Sequence, residues 1–184
     1  MVRDYNNRHA LEQKLRSTPA PAAADHLMVG HWRAIATVLA RAGREDAVQQ
    51  AIASEPDLSL RFSGPGEWLV VSEAEAPSGL VRRLEALCDG QAYVVNQSDG
   101  RVLLRIFGPN VRTMLAKGIG LDLHPAVFAL GGSANVLCGH IQVNLARTEE
   151  DAFELVVPRS FAESLFDELM RMGREFDLTA AFAD

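Results

Sequence analysis

The sequence predicts an α+β fold made of two tandem ferredoxin-like split βαβ units, each running β-α-β-β-α-β, with antiparallel sheets and helices packed on one face. Three observations carry this. Strand-like and helix-like patterns alternate in that order twice along 184 residues. Turn chemistry falls between the apolar runs. The ββα part of the order recurs at a spacing of 85 residues.

The first unit opens with Trp32 to Arg41, which reads as a strand that ends before Gly43. Arg44 to Ala53 follows as a helix with Ala47, Val48, Ala51 and Ile52 on one side. Leu58 to Phe62 alternates as a strand, Ser63-Gly-Pro-Gly66 is a turn, and Trp68 to Val71 is the returning strand. Pro77 to Leu87 is an amphipathic helix with Leu80, Leu84 and Leu87 aligned, and Tyr93 to Val95 closes the unit as a strand.

Asp99-Gly100 between two apolar runs signals a hairpin into the second unit. Val102 to Phe107 is its first strand, and Gly108-Pro109-Asn110 opens a helix buried through Val111, Met114 and Leu115. Gly118 ends that helix, and 119–132 is a loop. Strands at about 133–138 and 140–146 precede one over Phe153 to Val157, and Ser160 to Met172 is a helix. The second unit thus carries an extra loop and a short extra strand.

The repeat is visible in the apolar positions. Adding 85 to Leu60, Trp68, Val70, Leu80, Leu84 and Leu87 lands on Leu145, Phe153, Leu155, Leu165, Leu169 and Met172, all apolar. This argues for one compact body over 31–184 made of two similar halves, about 31–97 and 98–184. Residues 1–30, with Pro and Ala concentrated from Ser17 to Ala24, read as an extended arm of the kind a partner holds down.

Composition removes several function classes. At 48% hydrophobic and 23% charged the chain is globular in character, without the signature of disorder. A net charge of −6 disfavours nucleic acid, which needs clustered Lys and Arg. No apolar run is long enough to span a bilayer. Two cysteines, Cys88 and Cys138, without a CxxC, read as free thiols, so the cytoplasm is the expected compartment.

Concentrated chemistry is absent from the pattern. His26 and His31 are five apart, which misses helical ligand spacing, and no HExxH occurs. His124 reads as a loop hydrogen-bonder. Ser63-Gly-Pro-Gly66 and Gly131-Gly132-Ser133 lack the phosphate-loop pattern, and there is no GxGxxG. Cys138 and His140 share a strand face by spacing, which gives the one nucleophile–base candidate, weighed against a half-buried strand face. Glu149-Glu150-Asp151 reads as a solvated turn. No catalytic, cofactor-binding or metal-ligating residue is therefore assigned.

A longer succession carries a resemblance. Tyr93 through Gly118 contains Ser98-Asp-Gly-Arg101, Gly108-Pro-Asn110 and Lys117-Gly118. Leu121-Asp-Leu-His-Pro125, Leu137-Cys-Gly-His140, Val143-Asn-Leu-Ala-Arg147 and Phe153-Glu-Leu-Val-Val-Pro-Arg-Ser160 follow, and Gly64-Pro-Gly-Glu-Trp-Leu-Val-Val71 precedes. Over about 33–173 this resembles the gamma subunit family of heterotetrameric sarcosine oxidase. The resemblance implies a non-catalytic chain partnered by alpha, beta and delta subunits. The complex oxidises sarcosine to glycine and passes the one-carbon unit to tetrahydrofolate. FAD, covalently held FMN, NAD, tetrahydrofolate and zinc are then expected in the partner chains, with none bound by this chain alone. The strand–Gly-Pro–helix element from Val102 to Leu115 also resembles the aminomethyltransferase-like folate-binding superfamily. A stand-alone folate-binding protein is thus a second expectation, and the gamma subunit of a related N-methyl amine or N-methylglutamate dehydrogenase a third.

Overall fold

The computed structural model describes residues 8–16, 23–30 and 33–183. In chain order the elements are α1 (Glu12–Arg16), β1 (His26–Val29), β2 (Ala34–Ala40), α2 (Glu45–Ala53), β3 (Ser59–Gly64), β4 (Glu67–Ser72), α3 (Pro77–Cys88) and β5 (Ala92–Asn96). Then come β6 (Arg101–Phe107), α4 (Val111–Ala116), β7 (Ser133–Cys138), β8 (Ile141–Glu149), β9 (Ala152–Pro158), α5 (Ala162–Gly173) and β10 (Thr179–Phe182).

Two sheets result. One is ordered β3-β4-β2-β5 and is antiparallel throughout. The other is ordered β10-β1-β6-β9-β8-β7. With β1 and β7 set aside, the second order is that of the first, so each half has the split βαβ connectivity expected from the sequence. The correspondence extends to element bounds: α3, Pro77–Cys88, moved by 85 positions falls on α5, Ala162–Gly173.

Each helix pair buries its apolar stripe on the outer face of its own sheet. Val48 and Ile52 of α2 and Leu80, Leu84 and Cys88 of α3 pack on Ala36, Val38, Trp68 and Val70. Met114 and Leu115 of α4 and Leu165, Phe166 and Leu169 of α5 pack on Leu104, Ile106, Leu145 and Phe153. The inner faces meet one another through Ile35, Leu69, Val71, Leu103 and Val156. The layers therefore run helices, sheet, sheet, helices. β9 is buried along nearly its whole length because it has a layer on either side, which explains its unbroken apolar reading.

The arm expected over 1–30 needs correction wherever it is described. His26–Val29 is a strand inside the six-stranded sheet, antiparallel to β6 and parallel to β10. Leu27 and Val29 are fully buried in the core, as is Leu11 ahead of α1. This stretch is held by its own chain. Four residues carrying His and Met give too short a period-2 signal to read as a strand from sequence. The pairing with β10 is also the one parallel ladder among the described residues.

Gly108-Pro109-Asn110 has a structural explanation. Asp25 Oδ1 accepts from the Asn110 backbone N–H at 2.9 Å, and Asp25 Oδ2 accepts from Asn110 Nδ2 at 2.8 Å. This fastens the approach to β1 onto the start of α4. Gly108 has φ +130°, and a Cβ there would collide with Asp25 and the Ala24 carbonyl. Gly108→Ala is expected to lower unfolding free energy by about 2–4 kcal/mol, since strain and collision coincide. Gly43→Ala, at φ +75° with open space around it, is expected to cost only about 1–2 kcal/mol. Urea titration of both variants checks the contrast.

Candidate functional site

Polar side chains gather along the seam between the sheets. Arg61 of β3 pairs with Glu154 of β9 across it. Both are buried, at 1% and 4% exposure. Arg61 Nε also donates to Ser59 Oγ at 3.0 Å. Burying two charges is costly, so the pair holds only because each has the other. Arg61, Arg105, Thr148 and Ser59 border an open cleft of about 240 Å³ at this end of the seam.

At another point of the seam, side chains of the larger sheet satisfy the outer edge of β3. Ser133 Oγ accepts from Phe62 N at 2.8 Å, and Asn144 Nδ2 donates to Phe62 O at 2.8 Å. Asn144 Nδ2 also donates to Asn135 Oδ1 at 2.9 Å, and Asn135 Nδ2 donates to Ser63 O. The same amides, with Glu67, Gln142 and Arg101, line a polar cleft of about 320 Å³. Asn144 is buried, and its Oδ1 has no protein partner among the described residues.

The β5–β6 turn seals the seam nearby. Ser98 Oγ accepts from Ile35 N at 3.0 Å and donates to Ile35 O at 3.3 Å, while Gly100 O accepts from Arg159 N at 2.9 Å. Arg33, Arg101 and Arg159 then share a cavity of about 20 Å³ with Ser98 and Ile35. Sequence reasoning missed these groups because strand arginines read as outward-facing. The available signal was Glu154 inside the apolar run Phe153 to Val157, a charge that demands a buried partner.

The candidates raised from sequence do not assemble into a reacting pair. Cys138 is fully buried, and burial, with the nearby Glu168 charge second, pushes its thiol up to about 12. His140 is exposed in the following turn. His124 Nδ1 accepts from Ala126 N at 3.2 Å and Asp122 Oδ1 from His124 N at 2.9 Å, so Leu121-Asp-Leu-His-Pro125 is a self-bonded loop. Glu149, Glu150 and Asp151 pair with Arg105, Arg112 and Arg147. Ser63–Gly66 turns β3 into β4, with Gly66 at φ +69°. Gly131 and Gly132 bond Arg147 across the loop before β7. His26 meets Thr179 Oγ1 at 2.7 Å, a tie between neighbouring strands whose imidazole is held low by burial. His31 lies outside the described residues. Among the described residues no group of three His, Cys, Asp or Glu is placed to hold a metal, and no helix is long and apolar enough to cross a membrane. The arrangement offers hydrogen bonding and ion pairing, and the Cys138 thiol is held protonated by burial.

Two outcomes follow. Replacing one partner, as in Glu154→Gln, is expected to cost about 3–5 kcal/mol in denaturant titrations, while Arg61→Met with Glu154→Leu costs much less, because no charge is left stranded. The Cys138 thiol is held protonated in the fold. Its contribution to stability is therefore complete below the ordinary thiol value of 9.0 and is lost as pH rises toward about 12. Iodoacetamide at pH 8 is expected to label Cys138 only after unfolding, as read by mass spectrometry.

Comparison with known proteins identifies the family. A family model described as "Sarcosine oxidase, gamma subunit family" matches residues 15–173. The sarcosine oxidase subunit gamma of Corynebacterium sp. (strain U-96) is 28% identical over 134 residues, covering 73% of this chain. The match spans 65% of that relative's length, just under two thirds. Among solved structures, a chain of the heterotetrameric sarcosine oxidase from Corynebacterium sp. U-96, in complex with pyrrole 2-carboxylate, superposes with a TM-score of 0.78 at 23% identity, covering 92% of this chain and 95% of that one. The glycine cleavage system aminomethyltransferase T from Bartonella henselae gives a TM-score of 0.62 at 16% identity, covering 95% of this chain and 50% of that one. These likenesses show the fold. The family match runs through both sheets, from α1 to α5, and takes in the β5–β6 turn and the stitched edge of β3, so this chain belongs to the sarcosine oxidase gamma subunit family.

Proposed function

We propose that this chain is the non-catalytic gamma subunit of a heterotetrameric sarcosine oxidase-type complex. The complex oxidatively demethylates sarcosine to glycine and transfers the one-carbon unit to tetrahydrofolate. The observation that carries the reading is the family match over residues 15–173. It is supported by what the residues that carry the resemblance do: Ser98, Gly108, Asn110 and His124 hold backbone in place. Alpha, beta and delta chains are the proposed partners. FAD, FMN, NAD, tetrahydrofolate and zinc belong in those chains on this reading. The free thiols Cys88 and Cys138 favour a cytoplasmic complex.

Tagging the chain in its native host tests this. Stoichiometric recovery of two large flavin- and folate-type chains with a small zinc-type chain is the expected result; recovery of the chain alone would refute it. Assaying the recovered complex on sarcosine and on N-methylglutamate then chooses between the two substrates.

A second reading is a stand-alone folate-binding protein of the aminomethyltransferase-like type. The amide-lined cleft favours it, since Asn144 Oδ1 and Asn135 offer the groups that read a pterin edge. Titration with tetrahydrofolate decides. The subunit reading expects no saturable change in intrinsic fluorescence from the isolated chain, and the folate reading expects one.

A further inference from the structure

We infer that the uncovered inner face of β2 and β5 is a docking surface for another subunit of the complex, one whose contact surface is apolar and rimmed by Asp and Glu; this rests on the subunit reading above. In the β2–β5 ladder, Thr37 lies opposite Val95 and Leu39 opposite Tyr93. Residues two apart on a strand share a face, so this is the face that sends Ile35 into the seam. Ile35 packs in the seam between the sheets. Leu39, Tyr93 and Val95 stand 45%, 55% and 51% exposed. The trio is thus the sheet–sheet interface continued with no layer over it, the kind of apolar patch that marks a binding surface.

The two edges of the smaller sheet differ in the same sense. At β3, Ser133 and Asn144 satisfy the outward backbone. At the other edge, among the described residues, β5 pairs only with β2. Its sequence, Ala-Tyr-Val-Val-Asn, holds none of the charges or prolines that guard an open edge.

Charge selects the occupant. Segments 33–44 and 92–101 carry Arg33, Arg41, Arg44 and Arg101 against Asp99 in a chain of net charge −6; Arg33 is paired with Glu73, and Glu67, opposite Leu39, accepts from Ser63 Oγ, which leaves Arg41, Arg44 and Arg101. The Arg41 guanidinium lies 4.7 Å from the centre of the Tyr93 ring, and Arg101 borders the seam cavity beside Ile35. Neither has a carboxylate partner among the described residues. In a two-fold contact the patch would meet itself and set these arginines against their own like charges, which disfavours a second copy of this chain. A partner presenting acids around an apolar centre meets no such repulsion.

The test uses the tagged full chain co-expressed with the other subunits. Val95→Asp puts an acid on the exposed face without touching the core, and Arg41→Glu reverses the rim. Leu137→Asp, at a site 57% exposed on the larger sheet, is the control. Wild type and Leu137→Asp are expected to recover the other subunits in full. Val95→Asp and Arg41→Glu are expected to reduce that recovery roughly tenfold or more, with circular dichroism unchanged. Full recovery with both face variants overturns the inference. A dimer of this chain that Val95→Asp dissolves also overturns it, by making the occupant a second copy. If the wild type recovers no other subunit, the subunit reading fails first and the docking surface falls with it.

Discussion

Everything in this molecule is arranged around two sheets that must each bury both faces. Helices cover the outer faces, so the inner faces have only each other. An apolar patch of Ile35, Leu69, Val71, Leu103 and Val156 joins them, with the Arg61–Glu154 pair beside it. The apolar patch supplies attraction without direction. The ion pair supplies position, because a one-residue slip in either strand would turn its charge toward the helix layer and strand the other. Ser98 then clamps the turn that leads from one sheet to the other onto the start of β2. Sheet alignment and chain connectivity are thereby set by a few groups within the seam.

Much of this was legible in the residues. The repeat at 85 positions predicted α5 from α3 because both helices bury the same stripe on equivalent strands, and the structure gives them matching bounds. The β3–β4 turn was readable because turn chemistry is local. Asp99-Gly100 is a turn as expected but not a hairpin, since β5 and β6 lie in different sheets and do not pair, which no local signal reveals. What escaped was non-local. β1 has four residues and owes its existence to the slot between β6 and β10. Arg61 looks like any surface arginine until a second sheet lies over it. The seam clefts escaped for the same reason: Asn135, Asn144 and Arg101 come from distant strands and share no sequence pattern.

The residues that carried the family resemblance turn out to be instructions for folding. Gly108 and Asn110 receive Asp25; Lys117 donates to the Met172 carbonyl, and Gly118 leaves room for the Met172 side chain. Asp122 and His124 shape their own loop. Backbone geometry at a few tight points can constrain sequence as strongly as chemistry does.

The position of β1 sets an order of events during synthesis. It lies between β6 and β10 although the chain makes it long before either. A ribosome releases 33–96 with every strand of the smaller sheet in hand, so that sheet can close early. The larger one cannot, because β10 follows every other described strand in the chain and β1 must wait for it. In the interval, Leu27 and Val29 are apolar surface without a home. The growing chain is most vulnerable there, and chaperones would find their foothold at that strand.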